Sequence, residues 1–448
     1  DYISFFQDPH FLYLTGVREP NAGLVIVKSG GKATGTIFVQ TRNPAAEVWT
    51  GVRMGLDTAR ARTGLAARAA EDFFTVVDSL AGVVRTMYVV GEFGDEDPLE
   101  PGDHGMSFDQ EVMRSIASRH ESLTLSNATP VVLQLRAKKS PAELELIRTA
   151  VAITVDAQRQ AMQAIEPGMN EFEIQALVEY TFRRNGADRP SFATILGSGP
   201  NATTLHYNAD DRFMRAGDVV VMDIGASYRG YAADVTRTVP VTGTFTAEQR
   251  AIYQVVRDAQ AAAEKAATPG SSFGSASRAA QEAIERGLAR VGLIEGVGAM
   301  VEGGEALCGQ EGASCPQWVM YYMHGLGHGI GLDVHDPEQS HYPGGRIGVG
   351  SAFTIEPGVY VRANLLSIIP DTPRNRTMIT KIRPAVEKHA NIGVRIEDDY
   401  IVTGNGVEWI SRAPREIAEI EALMAQRWAG PPARDADLVR RYERTGSQ

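Results

Sequence analysis

Apolar positions follow two periods along this chain: short β-branched runs dominate its front, and longer stretches of helical spacing begin near residue 140. Leu24-Val25-Ile26-Val27, Thr36-Ile37-Phe38-Val39 and Met87-Tyr88-Val89-Val90 predict strands, with an Ala-rich helical stretch near Arg60 to Leu80 between the last two. The Gly/Asp/Pro-rich segment Gly91 to Gly105 predicts a loop. A turn at Asn127-Ala128-Thr129-Pro130 then leads into a short predicted strand, Val131-Val132-Leu133, and a domain boundary is expected just beyond it. The first domain is thus expected over residues 1–134, mixed α/β in character.

Ser140-Pro141-Ala142-Glu143 predicts a helix start: Ser caps, Pro fits the first helical position, and Glu three residues after the cap closes a capping box. The helix is expected to reach about Ile165 and stop at Pro167-Gly168, with a second from Glu171 to Arg184. The phrase recurs. Helices over Ala247 to Ala267 and Ala276 to Val291 end at Pro269-Gly270 and Gly292. Gly217 to Asp223 and Gly350 to Glu356 each place an acid six residues after a glycine, at the end of an apolar strand. These echoes predict an internally duplicated second domain over 135–430, in which each half buries its sheet against the other. Residues 431–448 read as a peripheral tail.

Composition narrows the functional classes. With 44 Lys+Arg against 55 Asp+Glu, the formal charge is −11, and no basic run interleaved with aromatics appears, which argues against a nucleic-acid partner. No stretch approaches the roughly 18 apolar residues that a membrane span needs. The chain begins at Asp1 rather than Met, so an N-terminal segment is expected to be missing. Cys308 and Cys315 exclude a disulfide framework or a four-sulfur zinc site; they could form one small disulfide in an exported protein or stay reduced in the cytoplasm, the favoured compartment.

Four segments carry chemistry. Val219 to Val239 reads as a hairpin, and a Tyr228-Arg229 turn would set Asp223 opposite Asp234, about 5 Å away. Like charges that close need a cation between them or a proton on one. The alternative is a slipped register in which each Asp reaches solvent or an Arg such as Arg237. Met323 to Asp336 concentrates His324, His328 and His335 among glycines that allow close approach. Pro357 keeps Glu356 extended at a strand end. Arg395 and Glu397 share one face of a strand, as a site pair or as a surface salt bridge. Two Asp, two Glu and one His are too anionic for one cation but suit two divalent ions, with manganese favoured over cobalt or zinc by ligand hardness.

With these segments, Phe6 to Gly16, Gly197 to Asn201 and His206-Tyr207, the chain resembles the pita-bread metallopeptidases, in their proline-specific branch of Xaa-Pro aminopeptidases and prolidases. The resemblance implies a creatinase-like N-terminal domain before a pita-bread catalytic domain, an α/β fold of the α+β kind. It implies Asp223, Asp234, His328, Glu356 and Glu397 as metal ligands, with Glu356 also taking the proton of the attacking water. His206 and His335 would stand near the scissile peptide, and His324, Arg395 and Tyr360 would line the substrate pocket. Trp49 would join only if a neighbouring subunit delivers it, in a homodimer or homotetramer. The implied substrates are proline-containing peptides, cut before the proline. Prolidase is the alternative, because the 40 residues between Glu356 and Glu397 form a long interval that could hold a helix narrowing the pocket mouth. A non-catalytic pita-bread module or side activity on phosphotriesters are more distant readings.

Overall fold

A computed structural model describes residues 5–91, 107–337 and 345–431, together with Asp437 and Arg440. Its chain forms two compact units, Asp1–Arg136 and Ala137–Gln448. In the first unit Gly23–Ser29 and Lys32–Val39 form an antiparallel hairpin, Ala66–Ala69 adds to it in parallel, and Thr86–Val89 pairs in parallel with Thr124–Asn127. Small apolar clusters around Ile37, Val39 and Ala59, and around Val77, Ala81 and Ile116, hold these pieces together.

Two local expectations for this unit fail. The predicted helix near 60–80 is two helices, Gly55–Thr63 and Phe73–Ala81, separated by the strand Ala66–Ala69, because Gly64 adopts a left-handed cap that ends the first. Val131-Val132-Leu133 lies inside the helix Thr129–Ala137 rather than in a strand. There the Asn127 side chain accepts from the Thr129 N–H and Pro130 sits in the first turn, so the helix start overrides the β preference of two valines. Apart from Gly91, the loop expected up to Gly105 lies outside the described residues, as does most of the C-terminal tail.

The second unit follows its caps. The Ser140 side chain accepts from the Glu143 N–H while the Glu143 carboxylate accepts from the Ser140 N–H, starting the helix Pro141–Ala164. Helices Glu171–Arg184, Ala247–Ala266 and Phe273–Val291 complete two helix pairs. Val219–Ile224 runs between Val235–Pro240 and Ile195–Ser198 in one sheet, and Asp398–Thr403 between Ala352–Ile355 and Gly406–Trp409 in another. Gly217 and Gly350 enter their strands at φ 94° and 92°, so the sequence echo is also a backbone echo. One apolar core runs from Ile147 to Leu423 through both halves.

Within the long interval, the helix Pro373–His389 is tied to the Met300 to Glu302 segment: Asn375 donates to the Glu302 carbonyl and accepts from its N–H, and Arg374 donates to the Met300 carbonyl. That segment contains the strand Met300–Val301, which pairs with Cys315–Pro316, and Cys308 and Cys315 are joined by a disulfide.

Helix and hairpin meet at Gln158. Fully buried, its amide donates 2.9 Å to the Met222 carbonyl and 2.8 Å to the Val235 carbonyl, one on each strand of the Asp223/Asp234 hairpin. Gln158→Leu keeps the volume and removes a hydrogen bond from each of two carbonyls in paired strands, so thermal unfolding should show a loss of about 0.5–1.5 kcal/mol per bond. An unchanged melting temperature would mean that water or a rearranged strand satisfies them.

Candidate metal centre

Asp223 and Asp234 share a face, though not in the expected register. The strands pair Ile224 with Val235 and Asp223 with Thr236, while the tip pairs Tyr228 with Tyr231. The turn is therefore Arg229-Gly230, both at positive φ (53° and 88°), the backbone that a two-residue hairpin loop favours and glycine supplies. A Tyr228-Arg229 turn would have left Gly230 unused. The resulting shift of two residues preserves side-chain parity, so Asp234 lies diagonally across from Asp223 instead of opposite it. Arg237 points elsewhere and binds the Asp398 carboxylate at 2.6 Å.

The strand-end acids and the histidine loop then converge. The His328 N–H donates to Thr354 Oγ1 and the Thr354 N–H to the His328 carbonyl, laying the loop beside the strand Ala352–Ile355. Next along, the Glu356 N–H donates to the Leu326 carbonyl at 2.7 Å. His328 Nε2 consequently stands 3.5 Å from Asp234 Oδ2, 3.7 Å from Glu356 Oε1 and 3.8 Å from Glu397 Oε1. Ligand atoms of Asp234, His328 and Glu397 all lie within 4.8 Å of one another. Asp223 is held from the other side, by Arg395 Nη2 at 2.6 Å. Arg395 and Glu397 are 3% and 2% exposed, which removes the surface salt-bridge reading.

Arg395 also starts a polar relay. Its Nη1 donates 2.9 Å to the Tyr360 hydroxyl, and that hydroxyl lies 2.9 Å from His324 Nε2. His324 Nδ1 faces the Gly325 carbonyl at 2.8 Å, so it carries the ring proton and Nε2 accepts from Tyr360. Burial pushes the Tyr360 hydroxyl up to about 12, keeping it a donor. His335 stacks on His328 with ring centres 4.0 Å apart. His206 is exposed, yet near enough to act electrostatically on His324, and the preceding Leu205 carbonyl accepts from Arg395. Trp49 sits on the helix Pro44–Thr50 of the first unit, 81% exposed.

Two supporting residues escaped the sequence reading. Thr236 donates from its hydroxyl to Glu397 Oε2 at 2.7 Å, and Asp399 Oδ2 accepts from the Asp234 N–H at 3.1 Å. Each stands two positions beyond a candidate ligand that immediately precedes its strand, so the two-residue period of an extended chain could have identified both.

Electrostatically the cluster is incomplete as protein alone. Asp223 Oδ1, Asp234 Oδ1 and Glu397 Oε1 are buried without a hydrogen-bond partner. Burial, then the charge of Glu397, pushes the Asp234 and Glu356 carboxyls well above their ordinary values; burial and Asp223 raise Glu397 to about 7. Burial also lowers His328 to about 4, and its Nδ1 faces the Gly329 carbonyl at 2.9 Å. That carbonyl accepts a hydrogen bond from Nδ1–H, which fixes the ring proton there and leaves a bare Nε2 lone pair among the carboxylates. Unpartnered carboxylate oxygens around a neutral imidazole, with no thiolate, are a donor set that fits divalent cations.

Residues 145–404 match the model of metallopeptidase family M24, and residues 1–88 that of the aminopeptidase P N-terminal domain. The chain is 33% identical over 424 residues to the Xaa-Pro aminopeptidase of Haemophilus influenzae, covering 94% of this chain and 88% of that protein. To the human Xaa-Pro dipeptidase it is 30% identical over 448 residues, covering 94% and 85%. Zinc-substituted Escherichia coli aminopeptidase P in complex with product matches at a TM-score of 0.77 and 30% identity, covering 94% of this chain and 90% of that one. Proline aminopeptidase P II from Yersinia pestis matches at 0.76 and 28%, covering 94% and 91%. With the family model spanning more than half of its length behind the aminopeptidase P type of front domain, this chain belongs to the Xaa-Pro aminopeptidase branch of metallopeptidase family M24.

Proposed function

We propose that the enzyme hydrolyses the peptide bond before a proline, releasing the N-terminal residue of Xaa-Pro peptides, with Asp223, Asp234, His328, Glu356 and Glu397 as ligands of two divalent ions. The observation that carries this reading is the convergence of the Asp234, Glu356 and Glu397 carboxylates on the proton-free Nε2 of His328, with oxygens of Asp234 and Glu397 buried and unpartnered. When bound, such ions supply Lewis-acid polarisation of the scissile carbonyl and a water acidified toward neutral pH. The hard donor set favours manganese.

The remaining steps belong to the chain. Glu356, its pKa raised by burial and Glu397, is suited to take a proton from the attacking water and return it to the leaving proline nitrogen. That nitrogen is tertiary in the substrate and has no proton of its own. His335 and His206 are assigned to hydrogen bonds with the developing tetrahedral centre and the substrate backbone. The Arg395–Tyr360–His324 relay holds the His324 imidazole neutral and oriented at the pocket wall.

Prolidase activity is the second reading, favoured by the helix Pro373–His389 in the interval between Glu356 and Glu397 and by the similarity to the human dipeptidase. The two differ in whether the proline carries a free carboxylate. Assayed side by side with Mn²⁺, an Xaa-Pro-Xaa-Xaa peptide should turn over; cleavage of Xaa-Pro dipeptides alone would replace the aminopeptidase by the prolidase.

We further assign the enzyme to the cytoplasm, against which the Cys308–Cys315 disulfide weighs; alkylation of thiols before cell lysis decides. A dimer or tetramer would cover the exposed Val48, Trp49 and Val52, and light scattering gives its mass.

Metal and pH are linked with a definite sign. Carboxyls whose folded pKa lies above the unfolded value bind protons that the unfolded chain releases, so the metal-free protein loses stability as pH rises from near 4 through the folded values, about 7 for Glu397. Cations replace those protons. Chelated protein should therefore melt lower at pH 8 than at pH 6, and added Mn²⁺ should raise the melting temperature more at pH 8. A gain as large or larger at pH 6 would remove these carboxylates as ligands.

A further inference from the structure

Behind the histidine loop lies an ion pair that the reaction does not use. Lys139 Nζ stands 2.7 Å from Asp336 Oδ2, and both side chains are only 1% exposed. A buried pair of this kind is strongly destabilising to break and is poor evidence of net stability, which directs attention to what it positions.

Both partners are pinned at their backbones. The Lys139 N–H donates to the Gly350 carbonyl at 2.9 Å, just before the Ser140 cap of the long helix. The Asp336 N–H donates to the Gly329 carbonyl at 3.1 Å, next to His328. The second oxygen of Asp336 accepts from the Asp333 N–H at 3.2 Å, closing the turn 333–336. This carboxylate lies flat on Gly331, where a Cβ would come within 2.6 Å of it. The Gly331 carbonyl in turn accepts from the Ala232 N–H at 2.7 Å, tying the loop to the hairpin that bears Asp234. His335, between the closed turn and the anchored carboxylate, is thereby presented face to face with His328.

We propose that Lys139 and Asp336 are a positioning pair for the hydrolysis: Lys139 neutralises and fixes the buried Asp336 carboxylate, which holds the turn that stacks His335 over His328. The proposal rests on the assignment of His335 to the reacting centre. Neither residue of the pair touches substrate, and both act through His335.

A double-variant cycle with metal content measured throughout tests it. Lys139→Met should lower kcat about 10- to 100-fold, with KM and metal stoichiometry little changed, and Lys139→Arg should restore most of the loss. In a His335→Ala background, Lys139→Met should cost no more than about twofold further. Asp336→Asn, which keeps the shape and an acceptor for the Asp333 N–H, carries the same test if Lys139→Met fails to fold. Full multiplication of the two effects, an unchanged kcat in Lys139→Met, or a loss matched by lost metal would overturn the pair's role. If His335→Ala alone is fully active, the assignment of His335 fails instead, and the pair's role falls with it.

Discussion

Four carboxylates share a buried volume with one guanidinium and one neutral imidazole, and much of the catalytic unit is arranged around that crowding. In a low-dielectric interior, like charges a few Å apart are tolerated only with counter-charge or protons. Arg395 supplies counter-charge to Asp223 and is itself sheathed by Tyr360, Thr236 and the Leu205 carbonyl. The layer beneath adds no open demand of its own at Asp398. Burial raises that carboxyl, but Arg237 and Arg415, with the Ser411 hydroxyl, hold its pKa below the ordinary value. Within the cluster, oxygens of Asp223, Asp234 and Glu397 are left unpartnered, and cations fit there.

Rigidity at that place comes from neutral hydrogen bonds. Gln158 clamps both hairpin strands, Thr236 fixes the Glu397 carboxylate, and the backbone exchange between His328 and Thr354 fixes the imidazole. These groups hold the proposed ligand atoms without adding charge, as supporting hydrogen bonds around a metal site do. The relay from Arg395 through Tyr360 carries the same order on to His324.

Legibility in the sequence tracked how local each decision was. The Ser140 capping box was readable because cap, proline and glutamate act within one turn. Asp223 and Asp234 could be assigned to one face because a shift of two residues leaves parity intact, although the turn at Arg229-Gly230 changed which residues stand opposite. Val131-Val132-Leu133 misled because β-branching is a weak preference beside the helix start that Asn127 and Pro130 provide. Lys139 and Asp336 gave no signal: a lysine and an aspartate 197 positions apart look like two surface charges until folding buries them together.

By itself the sequence determined the inventory of the site: which acids end strands, which histidines lie among glycines, and that the second unit repeats its helix pairs and glycine-led strands. Periods, caps and turn residues act over a few positions, and a linear pattern records them. Tertiary structure decided the rest. It left Asp223 Oδ1, Asp234 Oδ1 and Glu397 Oε1 without partners, removed the proton from His328 Nε2 and gave Lys139 to Asp336. Those outcomes depend on burial and on distances across hundreds of residues, and charge in a low-dielectric interior acquires its meaning only there.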